Sequence, residues 1–209
     1  MHGNNIDTLV IGGGIIGLLT ARELALAGQS VTVLERNPRA GLESSWAGGG
    51  ILSPLYPWRY PDAVTDLSVI GHLEYPKLAA ELLEATGIDP EYICSGHLIL
   101  DTEEHRQAMS WAKEFSKKIS LDSKTKYLSR IGRKEITVLE PELSETFRAA
   151  FWLPYVGQVR NPRIMKSLIK DLIQRGVQIV TDTAVEKINT SAGKVVNVVS
   201  REGKWSAEN

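Results

Sequence analysis

The chain has 209 residues, with Lys+Arg 24 against Asp+Glu 25 and one cysteine, Cys94. That length buries a core without disulfides or metal staples, and near-neutral charge with no block of like sign argues against a nucleic-acid or acidic-membrane partner. A single thiol excludes an intramolecular disulfide and suits a reducing compartment, so Cys94 reads as a small buried residue and the location as cytoplasmic.

Asp7 to Ile11 is read as a fully buried strand, followed by Gly12-Gly13-Gly14. No basic leader precedes it, the glycines interrupt the apolar stretch to Leu19, and no run reaches the roughly 20 apolar residues of a membrane span. A helix is predicted from about Gly14 to Ala27, with Gly28 as its left-handed stop, then a second buried strand over Ser30 to Glu35. The right-handed crossover rule makes the two strands parallel neighbours.

Gly41 to Tyr60 shows neither helical nor alternating period and reads as a long ordered loop, the kind that is usually functional. Asp62 is placed to cap a helix running to Ala85, with Pro76 expected to kink or split it near Tyr75. Gly96 to Asp101 is read as a strand, and Asp101 with Glu104 as a capping box for a helix to about Lys118, turning Met109, Ala112 and Phe115 inward. Ser120 to Lys134 is poorly patterned. Ala149 to Leu153 is a predicted strand, and Asn161-Pro162 a helix start with Asn161 as cap and Ile164, Leu168 and Leu172 on one face. The tail alternates extended runs with turns: Val177 to Thr181, Ala184 to Ile188, Lys194 to Ser200 and Lys204 to Ala207. The four histidines, His2, His72, His97 and His105, lack the spacing of zinc or iron sites, so no metal is assigned.

Gly12, Gly14 and Gly17 form GxGxxG where a strand meets a helix. Gly12 permits the tight turn, Gly14 lets a pyrophosphate approach the backbone, and Gly17 lets helix lie close on strand. The helix N-terminus offers free N–H groups and the positive end of its dipole to the phosphates. Glu35 ends the second strand, where a carboxylate accepts hydrogen bonds from both adenosine ribose hydroxyls and disfavours NADP. The plainer alternative is a tight turn with a solvated strand-end charge. The motif in its strand-and-helix context, with the acid in place, favours a dinucleotide without separating NAD from FAD.

The segment from Glu43-Ser44-Ser45-Trp46-Ala47-Gly48-Gly49-Gly50 to Pro54 resembles the flavin-contacting loop of the D-amino-acid oxidase superfamily. The following Leu55 to Tyr60 is similar to the bacterial glycine oxidase branch, as are Leu139-Glu140-Pro141 and Val159-Arg160-Asn161-Pro162-Arg163 in their order. The small residues Ala47 to Gly50 suit backbone approach to a flat ring, and Ser44 and Ser45 suit hydrogen bonds to pyrophosphate oxygens. By this resemblance the cofactor is FAD, contacted by Gly12, Gly14, Ile15, Ile16 and Gly17, by Glu35, by Ser44, Ser45, Ala47, Gly48 and Gly49, and by the backbone of Val185. Arg36 reads either as a further ribose or adenine contact or as an exposed ion pair; Ile51 either as a residue near flavin and substrate or as loop packing. Arg59, Arg160 and Arg163 read as surface charges.

The resemblance implies an α/β fold: a Rossmann-like FAD-binding domain of parallel sheet, helices and β-meander, with part of an α+β substrate domain. The expected boundaries are 1–87 and 150–209 for the FAD-binding segments and 88–149 for the partial substrate domain. It implies hydride transfer from the α-carbon of glycine or a similar small amino acid, with oxygen as acceptor and a place in thiamine biosynthesis. Homo-oligomers are compatible with it; nucleic acid and membrane are not expected partners. The arginine that clamps the substrate carboxylate is expected beyond Asn209, so no catalytic residue is assigned. A D-amino-acid dehydrogenase, a sarcosine oxidase and a non-catalytic dinucleotide-binding fragment are the rival expectations.

Overall fold

A computed structural model of the chain describes residues 6–54, 56–100, 102–118 and 126–207. They divide into two compact units: Met1–Gly49, Ala80–Pro90 and Arg160–Asn209 form one, and Gly50–Ala79 with Glu91–Val159 form the other. Residues 50–79 and 150–159 cluster with the second unit.

The first unit is built on a parallel sheet. Strand β1 (Thr8–Ile11) leads into helix α1 (Ile15–Leu26) and strand β2 (Val31–Leu34), and β1 and β2 pair in parallel from Thr8↔Val31 to Ile11↔Leu34. Strand β6 (Gln178–Val180) pairs with the other side of β2, giving the order β1-β2-β6. All four residues of central β2 are buried, as a run of β-branched and aliphatic side chains covered on both faces requires. By contrast β1 is only partly buried and Ile11 is 49% exposed, which corrects the expectation of a fully buried strand. The reason is position: among the described residues β1 stands at one edge of the sheet.

Helix α1 ends as the sequence predicts, with Gly28 at φ 86° and its N–H donating to the Ala25 carbonyl. A later helix, α6 (Asn161–Gln174), buries Ile164, Met165, Leu168 and Leu172 along one face. Arg22 of α1 is buried with them, its Nε donating to Asp171 Oδ2 at 3.0 Å and its Nη2 to Glu81 Oε2 at 2.8 Å. Asp171, 1% exposed, also accepts from Arg175 Nε at 2.9 Å. Burying charge is costly unless it is paired, and here each ion meets oppositely charged partners.

Asn161 is the first helical residue of α6; Arg160 is the N-cap and no side chain caps the helix, against the expectation of an asparagine cap. The unit closes with an antiparallel meander, β7 (Val185–Ser191), β8 (Lys194–Ser200) and β9 (Gly203–Trp205), turned at Ala192-Gly193 and Gly203. Leu9 and Ile11 of β1 with Ile188, Val195, Val196 and Trp205 of the meander line an apolar groove of about 500 Å³.

The second unit holds an antiparallel sheet in the order β3-β5-β4, from β3 (His97–Ile99), β4 (Ser129–Gly132) and β5 (Ala149–Leu153). Its core is aromatic. Phe151 lies 5.4 Å from Trp58 edge-on, and Phe115 of helix α4 (His105–Lys118) stacks on Trp111 at 4.8 Å and meets Tyr127 at 4.4 Å. Trp58 Nε1 and Arg59 Nε both donate to Glu104, so this carboxylate closes a surface contact and lies below the usual carboxylate range because Arg59, then Trp58, bonds it.

Several expectations change here. The 41–60 segment carries the short helix α2 (Ser44–Ala47) and a 3-10 turn at Pro57–Arg59. Helix α3 (Asp62–Thr86) is continuous through Pro76, which removes one N–H from a 25-residue helix without dividing it. Asp62 is its first helical residue. Strand β4 and the following α5 (Arg133–Leu139) form where no pattern was legible, and Glu135 folds back onto the Gly132 N–H at 2.7 Å to start that helix. Asp101, and with it the expected capping box, lies outside the described residues, as do 119–125 and 208–209. Cys94 is exposed, its Sγ 3.6 Å from the Pro154 carbonyl, and not buried as its residue type suggested.

Candidate functional site

The strand-to-helix junction assembles the glycine motif for reasons visible at each position. Gly12 stands at φ 105°, a conformation that side-chain-bearing residues rarely adopt. A Cβ on Gly17 would fall 1.9 Å from the Gly12 carbonyl oxygen, so this glycine is what lets α1 lie on the turn. A Cβ on Gly14 would sit 3.2 Å from Ser45 Oγ.

Helix α1 starts with Gly14 as its N-cap, and so has no side-chain cap of its own. Ser45, thirty residues away on α2, supplies it: Ser45 Oγ accepts from the Ile15 N–H at 2.8 Å. No acidic residue stands in the first turn of α1, which leaves its positive dipole end available to an anion, although the Ile15 amide is already bonded to Ser45. Ile16 projects outward, 76% exposed.

Glu35 follows β2 and is 6% exposed. Its Oε2 accepts from the Gly13 N–H at 2.7 Å, and its Oε1 from both the backbone and side-chain amides of Asn37, each at 2.8 Å. Gly13, which the sequence reading left without a role, thus ties the glycine turn to the acid, and a Cβ there would lie 2.9 Å from Ala40 Cβ. The Asn37 side chain also reaches Glu43 Oε1 at 3.3 Å, and Arg36 Nη2 donates to that same oxygen at 2.5 Å. Arg36, then Asn37, holds the Glu43 carboxyl below its ordinary range. Arg36 is therefore an exposed ion pair here.

The 44–49 segment lies against α6. Ser44 and Ala47 are exposed ends of α2, and Gly48 donates its N–H to the Ser44 carbonyl. A Cβ on Gly48 would meet Asn161 Nδ2 at 2.6 Å, whereas one on Gly49 would meet nothing within 4 Å. Arg39 lies over the Trp46 ring, 5.4 Å from its centroid. Val185 begins β7 two residues after Thr183, whose N–H donates to the Glu35 carbonyl at 2.8 Å.

The structure thus gathers Gly12, Gly14, Ile15, Gly17 and Ser45 at one junction, with Glu35 tied to it through Gly13. Ala47, Gly49 and Ile16 stand exposed without side-chain contacts that define a role. Gly13 and Asn37 had no role from sequence, and Asn161 was read only as a helix cap; only the uninterrupted glycine triplet could have pointed to Gly13. Among the described residues no group of His, Cys, Asp or Glu is arranged to hold a metal, and no helix is long and apolar enough to cross a membrane.

A family model described as "FAD dependent oxidoreductase", DAO, matches residues 7–207. The chain belongs to the DAO family of FAD-dependent oxidoreductases. Its similarity to a glycine oxidase of Pseudomonas aeruginosa is 41% identity, covering 94% of this chain and 51% of that protein. A glycine oxidase of Pseudomonas putida is 37% identical over 97% of this chain and 53% of its own length. The crystal structure of glycine oxidase from Bacillus cereus superimposes with a TM-score of 0.78 at 27% identity, over 98% of this chain and 53% of that one. The chain therefore spans about half the length of the curated relatives it matches. FAD is the cofactor of this DAO family, and the α/β architecture with a parallel sheet is its fold.

The residues present fit that cofactor. A pyrophosphate needs close backbone approach and the positive end of a helix dipole, which Gly14 and the acid-free start of α1 provide. A ribose hydroxyl needs a buried acceptor, which Glu35 provides, since a carboxylate accepts at about four lone-pair positions and three hydrogen bonds are formed here.

Proposed function

We propose that this chain supplies the FAD grip of an enzyme that oxidises glycine or a similar small amino acid to the 2-oxo acid, ammonia and hydrogen peroxide. The observation that carries the reading is the junction itself: the glycine turn, the Ser45 hydroxyl on the first amide of α1, and the Glu35 carboxylate bonded to Gly13. In it, Gly12, Gly14, Ile15, Ile16 and Gly17 lie along the pyrophosphate, Glu35 accepts from the ribose, and Ser44, Ser45, Ala47, Gly48 and Gly49 border the pyrophosphate and flavin. Val185 offers its backbone to the adenine. A second ribose hydroxyl reaches Glu35 when the Asn37 amide turns to Glu43, with which it already shares a contact at 3.3 Å.

Bound FAD supplies a hydride acceptor for the substrate α-carbon. This chain's residues hold the cofactor and keep its anionic centre at the α1 N-terminus. Glycine as substrate is supported by the similarity to glycine oxidases; oxygen as acceptor and a role in thiamine biosynthesis are part of the same proposal for the intact enzyme.

The isolated 209-residue chain is expected to retain FAD weakly, because among the described residues β1 stands at a sheet edge and the groove beside it leaves Ile11, Ile188 and Val195 exposed. The test is the visible spectrum of the chain and of the intact protein after incubation with FAD and desalting. The intact protein should keep bands at about 375 and 450 nm, bleach on anaerobic glycine addition and form peroxide in air. Gly14→Val should remove the retained flavin. Bleaching by D-amino acids and not by glycine would replace the substrate; no retained flavin in the folded intact protein would sink the reading.

A further inference from the structure

Gly48 stands in the candidate cofactor segment, and the sequence explains its size by close approach to a flat ring. The structure gives a different cause. Its backbone, at φ −64° and ψ 152°, is one that any residue adopts, so conformation does not demand glycine. Its missing side chain would fall 2.6 Å from Asn161 Nδ2 and 3.4 Å from the Ser44 carbonyl, in a space that the Asn161 carboxamide takes up. Neighbouring Gly49 has open space at the same place.

Asn161 in turn does not cap the helix it starts. It sits at the head of a firmly held element, since Ile164, Met165 and Leu168 of α6 are buried and Asp171 is bonded to Arg22. On the other side of α2, Ser45 is set on the Ile15 N–H. A four-residue helix has no stability of its own, so its place comes from what touches it.

We infer that Asn161 is a positioning residue: through its fit against Gly48 it fixes α2 on α6 and so holds the Ser45 hydroxyl over the start of α1. The inference rests on the reading of that junction as the cofactor site. It assigns Gly48 to a protein–protein fit within the chain and gives Asn161 a part in cofactor binding without contact to the cofactor.

The experiment is amide hydrogen exchange read by mass spectrometry on the full 209-residue chain without cofactor, for wild type, Gly48→Ala, Asn161→Ala and the double variant. The amides of Trp46, Ala47 and Gly48 bond to the Glu43 and Ser44 carbonyls and report the state of α2. Gly48→Ala should speed exchange there about twofold while β2 keeps its protection, because the added methyl forces the Asn161 carboxamide to turn out of its fit. The double variant, with room made for the methyl, should exchange more slowly than Gly48→Ala alone. Unchanged exchange in Gly48→Ala, or no recovery in the double variant, overturns the inference. If Gly48→Ala does not fold, Asn161→Ala decides: it should also loosen 46–48, and wild-type exchange there overturns the inference. FAD titration of the intact protein carrying the same substitutions is read separately. Loss of affinity in Gly48→Ala with recovery in the double variant follows from the inference, whereas failure of wild type to bind FAD sinks the cofactor reading and leaves the exchange result standing.

Discussion

The two units solve the problem of specificity in opposite ways. The first is organised by absent atoms: Gly12, Gly13, Gly17 and Gly48 each clear a space or a conformation that a side chain would spoil, around an aliphatic sheet. The second is organised by large rings, with Phe115, Tyr127, Phe151, Trp58 and Trp111 meeting edge-on, tilted or stacked. A site meant for phosphate and ribose needs exposed backbone, and glycine provides it. A small three-stranded sheet needs buried area per residue, and aromatics provide that.

The largest expected effect tests the second unit. Phe151→Ala removes a fully buried ring from β5 and should cost about 4 kcal/mol. Denaturant unfolding with hydrogen exchange should locate the loss in β3, β4 and β5; equal loss in β2 would break the contrast between the cores. Next, Gly17→Ala adds one carbon 1.9 Å from a backbone oxygen and should cost about 3 kcal/mol with loss of FAD retention in the intact protein. A cost near zero by the same unfolding measurement would show that the turn has slack and that glycine there is not structural.

The smallest effect is one of pH. His72 packs edge-on against Phe115 and Tyr127, and burial pushes its pKa below the ordinary 6.5. The unfolded state then binds the proton more readily, so the stabilisation is complete above about pH 6.5 and is lost as pH falls through the lowered value. His97 is shifted in the same direction by burial and adds to the slope. His72→Phe should flatten the fall in unfolding free energy between pH 7 and pH 5, in part; an unchanged slope would remove His72 from the account.

What was legible in the sequence follows the same division. The glycine turn, Glu35 and the strand and helix around them are local patterns, and Gly28 and Gly176 punctuate helices at positive φ as a short-range rule requires. Strand β4 was not legible, because Ser129 to Gly132 has little β pattern and is a strand by virtue of pairing with β5. The partial exposure of β1 depends on which strands flank it. In the candidate site, sequence carried the backbone roles; it did not carry Gly13 to Glu35, Ser45 as a remote cap, or Asn161 against Gly48, since each joins residues 22 to 113 positions apart.

The guanidinium of Arg22 has a further bearing, on when the site exists. It joins residues 22, 81 and 171, and β6, at 178–180, is the strand that encloses β2. A nascent chain that has already emerged with its glycine turn and Glu35 therefore still lacks both the carboxylates that pair with Arg22 and the neighbour that pairs with β2. During synthesis the glycine motif emerges long before residues 171 and 178–180 that complete its surroundings, with most of the aromatic unit translated in between.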